Sequence, residues 1–165
     1  MTTIASGESL TWVHIGDLHV TDESQPNYRD FLSIIDEVST HLARDVDFCV
    51  LPGDNADDGS AEQYGLIRRG LERLKIPLHA IPGDHDPKPG DLRAFYQGLG
   101  VAPLPNAVTV AGYRCLFLDV VSPGTGGPDF ALGGDQLQWL EAELGIRKLT
   151  GASERGLHAC VPGRS

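Results

Sequence analysis

Phe48-Cys49-Val50-Leu51-Pro52-Gly53-Asp54-Asn55 is an apolar run that ends in a Gly-Asp turn. The same arrangement stands on either side of it, as Trp12-Val13-His14-Ile15-Gly16-Asp17-Leu18-His19 and as Leu78-His79-Ala80-Ile81-Pro82-Gly83-Asp84-His85-Asp86. The three aspartates are 37 and 30 residues apart, about the length of one strand-helix-strand unit. Parallel strands joined in this way bring their carboxyl ends to one edge of the sheet, where open α/β folds bind ligands. Glycine lets the chain turn sharply as it leaves each strand. Three carboxylates, with His19 and His85 beside them, therefore converge on one cleft, and crowded carboxylates repel unless a cation joins them. The recurrence reads as a metal site in an α/β fold.

Working outward, the first strand is expected over Leu10 to Ile15, the second over Asp47 to Leu51 and the third over Pro77 to Ile81. Tyr28, Phe31, Leu32, Ile35, Val38 and Leu42 form a helical stripe with Pro26 near its start. Ser60 and Gln63 form a capping box ahead of a helix whose buried face is Tyr64, Ile67, Leu71 and Leu74. A short helix follows from Asp91, its cap, to Leu99. Ala107 to Val110 and Tyr113 to Val120 read as a hairpin through Ala111-Gly112. After a Gly- and Pro-rich loop from Ser122 to Gly134, Asp135 caps a helix bearing Leu137, Leu140 and Leu144.

Residues 146–165 differ in kind. They hold four of the thirteen basic residues and one acid, Glu154, and show no strand or amphipathic helix. They read as an atypical, irregular basic tail behind a domain portion spanning 1–145.

At 165 residues the chain can bury one core. A net charge of −10 argues against a nucleic-acid-coating surface, which needs basic patches. It leaves an anionic substrate open, because bound divalent ions invert local charge. Three cysteines without a CxxC pair give neither a disulfide framework nor a zinc knuckle, and Cys49 and Cys115 read as small core residues. No signal peptide or membrane-spanning run is visible, so a cytoplasmic protein without a membrane partner is expected.

An Asp-x-His after a strand offers one ion an oxygen and an imidazole, a mixture that suits Mn, Fe or Zn better than Ca. Asp54 follows the central strand and could bridge two ions. Two ions about 3.5–4 Å apart clamp the attacking and departing oxygens in hydrolases of phosphate esters. His85 is the natural proton donor to the leaving group, and Asp86 is expected to orient it through a hydrogen bond. His14 and His79 read as packed core histidines and His41 as a solvated one. A calcium loop at Asp54-Asn55-Ala56-Asp57-Asp58-Gly59 fails at Ala56 and at Gly65, where a glutamate belongs. The run Gly124-Thr125-Gly126-Gly127 does not complete a dinucleotide-binding motif.

Asp17-Leu18-His19, Gly53-Asp54-Asn55 and Gly83-Asp84-His85-Asp86 together resemble the DxH, GD and GNH[DE] motifs of the calcineurin-like metallophosphoesterases. Leu118-Asp119, the Gly-rich loop and Gly134-Asp135-Gln136-Leu137-Gln138-Trp139-Leu140 are similar to the cyclic-nucleotide phosphodiesterase branch. The resemblance covers residues 10 to 145. It implies a sandwich of two sheets flanked by helices, two divalent metal ions (Mn, Fe or Zn), and hydrolysis of small phosphodiesters or phosphomonoesters, cyclic nucleotides among them. By position, Asp17 and His19 would bind the first metal, Asp54 would bridge and Asp84 would bind the second. His85 would contact the phosphate and assist the leaving group.

Two departures accompany the resemblance. Asp84 stands where the family has Asn, and its added charge is expected to weaken phosphate binding. The family also draws three further histidines from downstream, whereas His158 is the only histidine after His85. The resemblance therefore implies a C-terminal truncation, with a frameshift as one origin. Two readings follow: a phosphoesterase using two metals, or an impaired remnant that binds at most one divalent ion. Oligomeric state is not indicated.

Overall fold

The computed structural model describes residues 9–122 and 130–145 and the backbone of 160–162. The elements run β1 (Trp12–His14), α1 (Pro26–Glu37), a π-helical turn (Val38–Leu42), β2 (Phe48–Leu51), α2 (Ala61–Leu71) and β3 (Leu78–Ala80). Then come α3 (Arg93–Leu99), β4 (Asn106–Val110), β5 (Tyr113–Phe117), α4 (Gly134–Leu144) and β6 (Cys160–Pro162).

The first three strands form a parallel sheet in the order β1-β2-β3, with Val13 opposite Cys49 and Val50 opposite His79. All four residues of β2 are buried, because both faces of this central strand are covered, and such strands read as unbroken apolar runs. Side chains alternate across a strand. Cys49 and Leu51 join Phe31, Ile35, Tyr64, Ile67 and Phe95 in the larger core, under the helices. Phe48 and Val50 turn the other way onto Cys115, with Val108, Val110, Tyr113 and Phe117 around them. That second face belongs to the antiparallel hairpin of β4 and β5. Phe48 meets Phe117 edge to face with ring centroids 6.4 Å apart. The expected arrangement of two sheets with flanking helices is what forms.

Ser60 caps α2 through its hydroxyl, which accepts the Gln63 N–H at 3.4 Å. Gln63 answers by accepting the Asp58 N–H at 2.9 Å. The helix α4 is moored by buried Gln136, whose Oε1 accepts the Asp119 N–H at 2.8 Å while its amide donates to the Asp119 carbonyl. Arg114 on β5 adds a fork onto Glu143, at 3.1 and 2.8 Å.

Several sequence expectations are corrected. Asp135 is not the cap of α4: Gly133 occupies that place with extended backbone, and Asp135 lies in the first turn, where a negative charge favours the helix dipole. Leu92 rather than Asp91 is the cap residue of α3, although Asp91 still accepts the Arg93 N–H at 2.9 Å. Leu42 is 41% exposed, because the wider π turn rotates it off the apolar stripe. His14 is exposed on edge strand β1. His79 does pack, stacked on Phe117 at 4.7 Å and edge-on to Phe48 at 5.2 Å. In the tail, Cys160–Pro162 pairs antiparallel with β5; three residues ending in Pro carry no readable alternation. His158 and residues 123–129 lie outside the described residues.

Candidate metal centre

Each parallel strand hands its donors to the loop that follows it. Asp17 and His19 follow β1, Asp54 and Asp57 follow β2, and Asp84 and His85 follow β3. The first two loops run side by side beyond the strands. The His19 N–H donates to the Asp54 carbonyl at 2.9 Å, Val20 to Asn55 at 3.1 Å and Asp57 back to Val20 at 3.2 Å. Val20 and Ala56 form a parallel bridge and are fully buried. The second and third loops touch through glycines: a Cβ on Gly53 would lie 2.7 Å from the Gly83 nitrogen. A Cβ on Gly83 would run into the Asp54 carboxylate and backbone nitrogen. Only glycine at both positions permits this approach.

The backbone at the site is unusual. Asp17, His19 and Asp54 have φ of 54°, 41° and 52°, three of the five non-glycine residues with positive φ among those described. Asp, Asn and His tolerate the left-handed region better than other side chains, and such conformations gather at functional sites.

The donors fall into three overlapping sets, each with its ligand atoms within 4.8 Å of one another: Asp17, His19 and Asp54; Asp54, Asp84 and His85; His19, Asp57 and His85. His19 Nε2 lies 3.8 Å from Asp54 Oδ2, and His19 Nδ1 lies 3.4 Å from Asp57 Oδ1. The rings of His19 and His85 meet edge to face with centroids 4.4 Å apart. The structure thus brings together the sequence-selected metal ligands Asp17, His19, Asp54 and Asp84 with His85, the residue expected to donate a proton. Their chemistry fits a divalent ion, since the sets combine carboxylate and imidazole without sulfur.

Asp86 takes another part than expected. Its carboxylate is 1% exposed and accepts from the Gly83 N–H at 2.8 Å, the Asn55 N–H at 3.2 Å, the Ala56 N–H at 3.3 Å and the Tyr64 hydroxyl. It ties the second loop to the third rather than orienting His85. Burial pushes its pKa up, opposed by the Tyr64 hydroxyl and the Gly83 and Ala56 N–H groups, while the Asp54 charge adds to the rise. Burial, followed by the Asp86 charge, holds the Tyr64 phenol far above its ordinary range. The His85 ring finds different partners: its Nδ1 lies 2.7 Å from the Asp57 carbonyl and 2.7 Å from Lys88 Nζ. The His85 N–H donates to Asp54 Oδ1 at 3.1 Å.

Asp57, Lys88 and the hold of Tyr64 and Asn55 on Asp86 were missed from sequence. Asp57 carries a faint signal, three residues after Asp54, but its approach to both histidines depends on how the loop folds back at Gly59, where φ is 69°.

The calcineurin-like phosphoesterase family profile matches residues 10–150. The chain is 31% identical over 142 residues to a probable cyclic nucleotide phosphodiesterase of Synechococcus sp., covering 83% of this chain and 53% of that protein. It is 30% identical over 128 residues to the 3',5'-cyclic adenosine monophosphate phosphodiesterase CpdA of Escherichia coli K12, covering 78% and 43%. To the glycerophosphodiester phosphodiesterase GpdQ of Enterobacter lignolyticus it is 32% identical over 142 residues, covering 79% and 50%. The chain therefore spans about half the length of the curated relatives it matches. With the profile match covering residues 10–150, well over half of its length, the chain belongs to the calcineurin-like phosphoesterase family.

Proposed function

We propose that this chain is a metal-dependent phosphoesterase that hydrolyses small phosphodiesters, cyclic nucleotides among them, at a site holding two divalent ions. The observation that carries the reading is the gathering of Asp17, His19, Asp54, Asp84 and His85 at the carboxyl ends of three parallel strands. Asp17, His19 and Asp54 would hold one ion, and Asp54 and Asp84 the other. When bound, such ions supply Lewis acidity toward the phosphoryl oxygens and orient the ester.

The chain's own residues do the rest. His85 contacts the phosphate and gives a proton to the departing oxygen from its ring nitrogen, with Nδ1 steadied at the Asp57 carbonyl. Asp86 fixes the distance between the second and third loops. Two relatives named for phosphodiester substrates, one for cyclic adenosine monophosphate and one for glycerophosphodiesters, support a diester over a monoester.

The test is hydrolysis of bis(p-nitrophenyl) phosphate with Mn²⁺, beside Asp54→Ala and a chelated control. Removing the shared carboxylate is expected to cost roughly a hundredfold or more in rate, beyond what loss of a supporting contact costs. Equal rates for wild type and Asp54→Ala, in folded samples, would refute the reading and leave a chain that at most binds a single ion.

A further inference from the structure

Lys88 brings a positive charge to a site built from carboxylates and imidazoles. A tight turn carries it back toward the site: its N–H donates to the His85 carbonyl at 3.3 Å, and Gly90 closes onto Pro87 at 2.7 Å. Its ammonium then lies 2.7 Å from the Asp57 carbonyl and 2.7 Å from His85 Nδ1. Neither partner is a carboxylate, and among the described residues Lys88 forms no ion pair, unlike Arg69, Arg73, Arg93 and Arg114. Lys88 is exposed, so its stem is free to move the ammonium between partners.

The electrostatics give that charge a use. Asp17, Asp54, Asp57 and Asp84 stand in the donor sets, and Asp84 adds a charge where an amide would add none. An arriving phosphate is repelled by each of them. His85 shares a donor set with Asp54 and Asp84, so the ammonium lies one imidazole ring away from that pair. A lysine ammonium is a compact point charge well suited to a phosphate oxygen.

We propose that Lys88 is a substrate-binding residue, its ammonium passing from the Asp57 carbonyl and His85 Nδ1 to a non-bridging oxygen of the bound phosphate. It thereby sets the site's affinity for phosphoester anions, and a dianionic phosphate gains more from it than a monoanionic diester. This rests on the phosphoesterase reading of the same site.

The experiment uses the full chain loaded with Mn²⁺, as wild type, Lys88→Met and Lys88→Arg. Manganese content and inorganic phosphate binding are measured by metal analysis and calorimetry, and bis(p-nitrophenyl) phosphate hydrolysis is followed on the same samples. Lys88→Met is expected to weaken phosphate binding roughly tenfold, the size of one charge-assisted hydrogen bond, with manganese content unchanged. Lys88→Arg, which keeps the charge, is expected to stay near wild type. Unchanged phosphate affinity in Lys88→Met, an arginine variant as weak as the methionine one, lost manganese in either, or no phosphate binding by wild type overturns the assignment. Hydrolysis together with unchanged phosphate affinity in Lys88→Met removes the lysine role alone. Charge-dependent phosphate binding without hydrolysis removes the catalytic reading alone.

Discussion

At the scale of single residues, Asp86 is the side chain on which the site's shape depends most. It satisfies three backbone N–H groups and one phenol in a dry setting, so Asp86→Ala leaves several buried donors without acceptors. The expected cost is about 3 kcal/mol of stability, read from urea unfolding, with a loss of metal affinity as the two loops drift apart. A change under about 0.5 kcal/mol, the usual range for a surface substitution, would place Asp86 outside the support of the site. Asp84→Asn removes one negative charge from the donor cluster and is expected to lower KM for bis(p-nitrophenyl) phosphate; an unchanged KM with unchanged metal content contradicts the charge argument. The convergence of Asp17, His19, Asp54, Asp84 and His85 was legible because each follows an apolar run at a glycine turn. Asp57 and Lys88 were not, since their place depends on loops folding back on themselves, and the partner of Asp86 was misjudged because adjacency in sequence says little about where a buried carboxylate points.

Among the elements, the contact between the two sheets passes through a histidine. His79 on β3 stacks against Phe117 of β5 and meets Phe48 of β2 edge-on, and burial holds its pKa below the ordinary 6.5. The folded chain resists a proton that the unfolded chain accepts. Stability from this source is fully present above the ordinary value and is lost as pH falls from there toward the lower folded value. The melting temperature of His79→Phe is therefore expected to fall less than that of wild type between about pH 7 and pH 5. Parallel melting curves of the two proteins across that range would show that His79 takes no part. The three parallel strands and α2 were readable because apolar runs and a capping box are local signals. The exposure of Leu42 was not, since the π turn breaks the period on which the stripe was counted. Neither was β6, whose pairing partner lies more than forty residues away in sequence.

For the molecule as a whole, charge is the governing quantity. A chain of net charge −10 that gathers aspartates on one sheet edge is expected to lose stability to that repulsion and to regain it on binding a divalent ion. Ligand linkage amounts to about 2.7 kcal/mol at a hundred times Kd, so Mn²⁺ is expected to raise Tm by roughly 5–10 °C. Chelation should reverse the shift and Asp54→Ala should abolish it. An equal shift in wild type and Asp54→Ala would locate the ion elsewhere. Among the described residues no helix is long and apolar enough to cross a membrane. The overall architecture was accessible from sequence because β2 is apolar on both faces, which already demands a layer on each side of the sheet.

The positive φ values at Asp17, His19 and Asp54 restrict the alphabet available to the site before any ligand is considered. The residues that such turns accept most readily are glycine, asparagine, aspartate and histidine, and three of these four are also metal donors. Main-chain fit alone can therefore preserve much of the motif through sequence drift, whatever becomes of the reaction. Valine at Asp17 or Asp54 would fail twice, as a donor and as a turn residue, whereas glycine at the same place would fail only as a donor.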